Sequence, residues 1–321
     1  MDEFELIRRY FAPLSGAAAD VVLGIGDDCA LLAPPPEQEL AVTSDTLVAG
    51  RHFPAGTEPY DIGWKSLAVN LSDLAAMGAR ARWFTLALAL PEADEAWLAG
   101  FAAGLKALAD QAGVHLVGGD TTRGPLTITI TALGLVPTGT ALRRSGARVG
   151  DRICVSGTLG DAALALELWR AGDPRGRTDE AYALRARLDR PTPRLALGLA
   201  LRGLAHAAID LSDGLAADLS HVLKASGVGA RLDAARLPSS AAFDRLAPPA
   251  SRARLQLAGG DDYELCLCIA PSQLVEARHL AGQAGVELTD VGEIRAGEGL
   301  QIFDVDAQPL AFTELGYRHF P

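Results

Sequence analysis

Apolar and polar positions alternate along this chain in a recurring plan: a short apolar run stops at small residues and delivers carboxylates. VVLGIGDDC, from Val21 to Cys29, ends on Asp27 and Asp28; LAVTSD ends at Asp45, VHLVGGD at Asp120, and AAIDLSD brings Asp210 and Asp213. Runs of this length bounded by glycine and polar residues predict buried strands. Strands that end at one sheet edge would gather these acids in one place. Carboxylates brought that close repel one another and are driven to protonate unless cations hold them apart.

The intervening segments read as helices and further strands. Residues 61–78, DIGWKSLAVNLSDLAAMG, have helical apolar spacing with Gly78 as the stop. Asn70 and Asp73 are three apart and share a face of that helix, where a carboxylate in an apolar setting needs a partner or a cation. A strand at WFTLALALP, a helix over about 92–111, a GGDTTRG turn and a strand ending near Pro137 follow. Phe4, Ile7 and Phe11 predict a docking helix at the N-terminus. Residues 138–150, polar and rich in glycine and arginine, make the best linker, between an N-terminal domain at 1–137 and a C-terminal domain at 151–321. The second half holds a strand, an SGTLG turn and a helix. It continues with a charged loop carrying one helix, then the turn of Asp210, Ser212 and Asp213 before a helix that Ser212 could cap. LAGGDDYELCLCIA and two more strands complete it. The fold class is α/β (α+β) in two domains. SGTLG could cradle a phosphate, and a tight strand-to-helix turn explains its glycines equally well.

Composition narrows the chemistry. At 321 residues the chain exceeds one usual core, and no apolar run is long enough to cross a bilayer. The N-terminal MDEFELIRRYF has neither the basic nor the apolar region of a signal peptide. A net charge of -11 argues against a nucleic-acid surface. Four scattered cysteines suit neither a disulfide framework nor a zinc site, so Cys266 and Cys268 read as core residues of a cytoplasmic protein. No P-loop is present. Asp28, Asp45, Asp73, Asp120, Asp210 and Asp213 without a histidine or cysteine set favour magnesium, which commonly accompanies a polyphosphate such as ATP. Two-metal phosphoester hydrolysis competes with this reading. His52 lies in a loop, and Arg143 and Arg144 could meet a phosphate or simply be solvated.

Taken together, GIGDDCALL, TSDTLVAGRHF, KSLAVNLSDLAAMGA, GGDTTRGPL, RSGARVGD, AIDLSDGLAADL and GGDDYELC resemble, in order and spacing, the thiamine-monophosphate kinase family of the aminoimidazole ribonucleotide synthetase-like superfamily. The resemblance implies a homodimer built through the N-terminal domains and ATP-dependent conversion of thiamine monophosphate to thiamine diphosphate. It implies magnesium ligands at Asp28, Thr43, Ser44, Asp45, Asp73, Asp120, Asp210 and Asp213, with nucleotide contacts at Gly119, Asp120, Arg144 and Ser212. Substrate contacts are implied at His52, Asp261 and Tyr317. Many members carry glutamate where this chain has Asp261, whose reach is shorter; the adjacent Asp262 could substitute. No general base is expected. Another ATP-using superfamily member, or a magnesium phosphatase, is the alternative.

Overall fold

The structure, a computed structural model, describes residues 3–15, 18–26, 29–172, 178–310 and 316. It divides into two units, 1–74 with 79–139, and 75–78 with 140–321.

The first unit is a four-stranded sheet with two long helices. Strands β1 (Val21–Leu23) and β2 (Leu31–Leu32) form a small hairpin, and β3 (Gln38–Val48), β4 (Arg80–Leu90), β5 (His115–Arg123) and β6 (Thr127–Pro137) form a sheet in the order β3-β6-β4-β5. Two strands were expected over residues 20–45; the described residues there form three. Helix α1 (Glu3–Leu6) runs on into a wider turn at Ile7–Phe11, with Leu6, Tyr10 and Phe11 buried and Ile7 half-buried; the side chain of Phe4 lies outside the described residues. It docks as expected: Phe11 meets Phe101 edge-on at 6.4 Å. Helices α2 (Pro59–Ala76) and α3 (Glu95–Ala112) approach backbone to backbone. A Cβ on Gly63 would lie 2.1 Å from the Phe101 carbonyl, and one on Gly104 1.8 Å from that of Tyr60. Leu67, Leu71 and Leu74 of α2, with Phe84, Leu86, Ile128 and Ile130 of the sheet, are buried.

The second unit is a mixed six-stranded sheet with helices on both faces. Its strands are β7 (Arg152–Ser156), β8 (Ala205–Asp210), β9 (Gly229–Asp233), β10 (Leu265–Ile269), β11 (Leu288–Arg295) and β12 (Gly299–Phe303), ordered β12-β9-β11-β7-β10-β8. Its helices are α4 (Asp161–Arg170), α5 (Asp179–Asp189), α6 (Leu195–Leu201), α7 (Leu215–Ser226), α8 (Ala241–Leu246), α9 (Arg252–Ala258) and α10 (Leu274–Gln283). Alternation along β10 sends Cys266 and Cys268 into the core shared with α7, and Leu265, Leu267 and Ile269 into the core shared with α6 and α10. Cys266 and Cys268 are packing residues, as expected, and Cys154 on β7 is buried as well. No helix of the described residues is long and apolar enough to cross a membrane.

Candidate active site: two acidic centres

The first centre lies where β3 faces α2. Thr43 donates its hydroxyl to the Asp73 carboxylate, and the Asp45 amide donates to Asn70 Oδ1 at 3.1 Å. Asn70 in turn donates to the Ser66 carbonyl, 3.1 Å away, so the helix side chain is oriented before it reaches the strand. Asn70 and Asp73 thus share a face, as their spacing predicts. Burial, and then the neighbouring Asp73, push the Asp45 carboxyl up to about 6. That carboxyl sits in a site that disfavours its charge.

The strand periodicity sorts the remaining ligands expected here. Ser44 turns to the other sheet face, its Oγ 3.0 Å from Thr131 Oγ1. Asp120 is exposed and does not sit in a turn: β5 continues through Gly118 and Gly119 because it pairs in parallel with β4. Its row runs Asp120, Ala87, Thr129, Thr46, whereas Asp45 shares a row with Ile130, Leu86 and Gly119. Paired residues in one row face the same side, so Asp45 and Asp120 belong to opposite faces. They also occupy the two outer strands, about 14 Å apart at ~4.8 Å per strand. The expectation of a single sheet edge gathering all the acids is therefore corrected: β6 and β4 separate Asp45 from Asp120, and Asp210 ends a strand of the other sheet. His52 closes its loop locally, its Nδ1 accepting the Val48 amide at 2.9 Å, which leaves the proton on Nε2. Asp28 lies outside the described residues. Nearby, Arg82 Nε donates to Asp20 at 2.9 Å, and Val21, Ala30 and Leu32 pack against Trp83, Val117 and Leu135.

The second centre is a turn braced by another turn. Asp210, buried, is the last residue of β8. Beyond it, the Leu211 amide donates to the Glu264 carbonyl at 2.8 Å, the Tyr263 amide to the Leu211 carbonyl at 2.8 Å, and the Asp261 amide to the Ser212 carbonyl at 2.9 Å. This close lacing requires glycine: a Cβ on Gly260 would lie 2.5 Å from the Ser212 carbonyl oxygen. Ser212 does not cap α7. Asp218 does, reaching back so that its Oδ2 accepts the amides of Asp213 and Gly214, each at 3.1 Å. Burial, and then Asp213, push the Asp218 carboxyl up to about 7 against the pull of those donors. The sequence signal for this role was an acid placed early in the helix, as in a capping box. Asp261 adopts φ of 70°, a conformation that aspartate tolerates better than glutamate, and accepts from Tyr263 Oη at 3.2 Å. Asp262 is not a substitute for it, since its buried carboxylate accepts the Gly160 amide at 3.0 Å. Tyr317 lies outside the described residues. Its neighbour Gly316 touches the turn closely enough that a Cβ there would meet the Asp213 carbonyl at 2.5 Å. Arg144 is exposed, on a segment fastened along β8 by the Ala208 amide donating to the Arg143 carbonyl at 2.9 Å.

A separate cleft of about 470 Å³ in this unit gathers none of the expected ligands. Its charges are matched internally. Arg187 and Arg194 converge on the fully buried Glu264, with Nη2 of Arg187 at 2.7 Å and Nε of Arg194 at 2.6 Å. Among the described residues no group of three histidine, cysteine, aspartate or glutamate side chains is placed to hold a metal ion unaided.

Each of the two α/β units matches a domain of the AIR synthase related proteins. The family model for their N-terminal domain matches residues 26–136, and that for their C-terminal domain matches residues 148–305. Along its length the chain is 49% identical to the thiamine-monophosphate kinase of Salmonella typhimurium over 319 residues, covering 99% of this chain and 98% of that protein. The crystal structure of thiamine-monophosphate kinase from Stenotrophomonas maltophilia K279a superposes with a TM-score of 0.89 at 51% identity, over 97% of this chain and 98% of that one. AaThiL complexed with AMPPCP and TMP superposes with a TM-score of 0.79 at 29% identity, over 99% and 97%. The chain belongs to the thiamine-monophosphate kinase family.

Proposed function

We propose that this protein transfers the γ-phosphate of ATP to thiamine monophosphate, yielding thiamine diphosphate and ADP. Likeness to named kinases over nearly the whole chain supports the activity, as does a relative solved with AMPPCP and TMP. The structural observation that carries the chemistry is the Thr43, Asp45 and Asp73 group, an oxygen-only set whose Asp45 carboxyl is held near 6 by burial and by Asp73. Such a donor set fits magnesium, which prefers hard oxygen ligands and usually shares them with substrate phosphates. Asp28, Asp45, Asp73, Asp120, Asp210 and Asp213 are the residues that would hold the ions, with Thr43 on the sheet face of Asp45 and Ser44 on the face of Asp120. Magnesium, when bound, supplies the positive charge that lets two phosphate compounds approach.

The residues of the chain then bind and align. The acceptor is a monoester, dianionic at neutral pH because its second pKa is about 6, so it needs no base to become a nucleophile. Its oxygen attacks the γ-phosphorus in line while the bond to the β-phosphate oxygen breaks and ADP leaves. Arg144, Gly119, Asp120 and Ser212 are assigned to the nucleotide, and His52, Asp261 and Tyr317 to thiamine monophosphate. Incubation with ATP, magnesium and thiamine monophosphate should give thiamine diphosphate and ADP, with inversion at a chiral γ-phosphate. Phosphate release from thiamine monophosphate without ATP would support the phosphatase alternative.

A homodimer through the first unit also belongs to this reading. On β3, Leu40 and Val42 are 48% and 57% exposed on the face that carries Ser44 and Thr46, more apolar surface than a solvated sheet usually presents. Sedimentation should give twice the chain mass, and Val42→Lys should shift it to the monomer. A cytoplasmic location agrees with the free thiols of Cys154, Cys266 and Cys268.

A further inference from the structure

We propose that Ser226 is a positioning residue for Arg144, an inference that rests on the assignment of Arg144 to the nucleotide. Ser226 is the last residue of α7, and its hydroxyl makes three contacts with one short segment. It donates to the Arg144 carbonyl at 3.2 Å and accepts the amides of Gly146 at 3.1 Å and Ala147 at 3.2 Å. A serine hydroxyl has one hydrogen and two lone pairs, so this segment uses its full bonding capacity.

The clip fixes a backbone whose side chain is left exposed. Upstream, the Arg143 carbonyl is held by the Ala208 amide at 2.9 Å, and downstream Asp151 accepts the Arg148 amide at 2.8 Å. Between them Gly146 presses against β8 so tightly that a Cβ would lie 2.5 Å from the His206 carbonyl. Ala208 stands two residues before Asp210, so strand spacing puts the Arg143 carbonyl within roughly 8 Å of the Asp210 backbone. Helix α7 begins at the turn of Ser212 and Asp213 and ends at Ser226. One rigid element therefore carries the acidic turn at its start and the arginine clip at its end. A long, exposed cation on a fixed backbone gives up less freedom when it meets a phosphate than one on a loose loop.

Kinetics on the full-length enzyme test this. Ser226→Ala should raise KM for ATP about fivefold to tenfold, the scale of one lost hydrogen-bond set. The kcat and the KM for thiamine monophosphate should stay within about twofold, while stability should fall by about 1–2 kcal/mol, since the Ala147 amide is freed in a buried place and the Gly146 amide in an exposed one. Ser226→Thr, which keeps the hydroxyl, should restore KM for ATP. In an Arg144→Ala background Ser226→Ala should add nothing, because both act through one side chain. An additive rise, or an unchanged KM in Ser226→Ala while Arg144→Ala raises it, overturns the positioning role and leaves the nucleotide assignment standing. An unchanged KM in Arg144→Ala overturns that assignment, and the positioning role with it.

Discussion

The carboxylates around Asp45 and those around Glu264 are handled in opposite ways. Glu264 is fully buried yet saturated, with two arginines and the Ser156 hydroxyl at 2.5 Å converging on it. Asp262, beside it, is pushed well above its usual range by burial and is held on the Gly160 amide. Asp45 meets burial together with the like charge of Asp73, and its carboxyl rises to about 6. The protein completes the first set itself and leaves the second with electrostatic demand that a bound cation would meet. Burial of a carboxylate therefore does not mark function; what distinguishes the two sets is who supplies the counter-charge.

The largest effects should separate these sets cleanly. Asp45→Asn and Asp210→Asn should each cut kcat by about 10²- to 10³-fold while the ligand-free fold survives, Asp45→Asn melting no lower than the parent because a like-charge contact is gone. Glu264→Gln should do the reverse damage, costing roughly 3–5 kcal/mol in denaturant unfolding, because the charges of Arg187 and Arg194 lose their buried partner. Unfolding of Asp45→Asn, or a Glu264→Gln variant of parental stability, would erase the distinction.

A smaller effect, on stability alone, tests the electrostatic origin of the contrast. With its folded pKa raised from 3.8 to about 6, Asp45 keeps a proton in the folded chain that the unfolded chain has already released in that interval. Stability of the metal-free protein should therefore fall as pH rises from about 4 to 6 through this group and level off above, the sign given by proton linkage. Asp45→Asn should flatten that part of the profile, measured by urea unfolding at several pH values. Magnesium added at pH 7 should offset the loss in the parent and not in the variant.

How far the sequence disclosed each set follows from the range of the contacts. Asp45, Asp73 and Asn70 were legible because strand ends and a three-residue helical spacing are local facts, and their meeting needed only β3 to face α2. Strand order was not legible: β6 lies between β3 and β4, a choice made by tertiary pairing, and it moves Asp120 away from Asp45. Gly118 and Gly119 read as a turn, yet pairing with β4 draws them out as strand. Helix α9 went unseen because RARLQLA is short and charged. The Glu264 network joins Arg187 and Arg194 across 77 and 70 residues, so only the lone acid inside YELCLCIA pointed to it.

A smaller backbone effect probes the brace behind the second centre. Gly260→Ala should cost about 1–3 kcal/mol, since its Cβ would meet the Ser212 carbonyl at 2.5 Å and push the two turns apart. It should also raise KM for ATP, because Ser212 moves with the turn. A variant matching the parent in both would mean that the lacing has slack.

Asp261→Glu should produce the smallest change, and it falls between the two extremes. Asp261 is half-buried and accepts from Tyr263 Oη at 3.2 Å. Its φ of 70° favours a short polar side chain that can bond locally, so glutamate should cost under about 1 kcal/mol of stability through backbone preference. The charge is kept and the reach grows by one methylene. If Asp261 contacts thiamine monophosphate directly, KM for that substrate should change by no more than about threefold, whereas Asp261→Ala should raise it by about tenfold or more. Equal KM values in Asp261→Ala and the parent would place this carboxylate with Glu264, as a group the fold completes for itself.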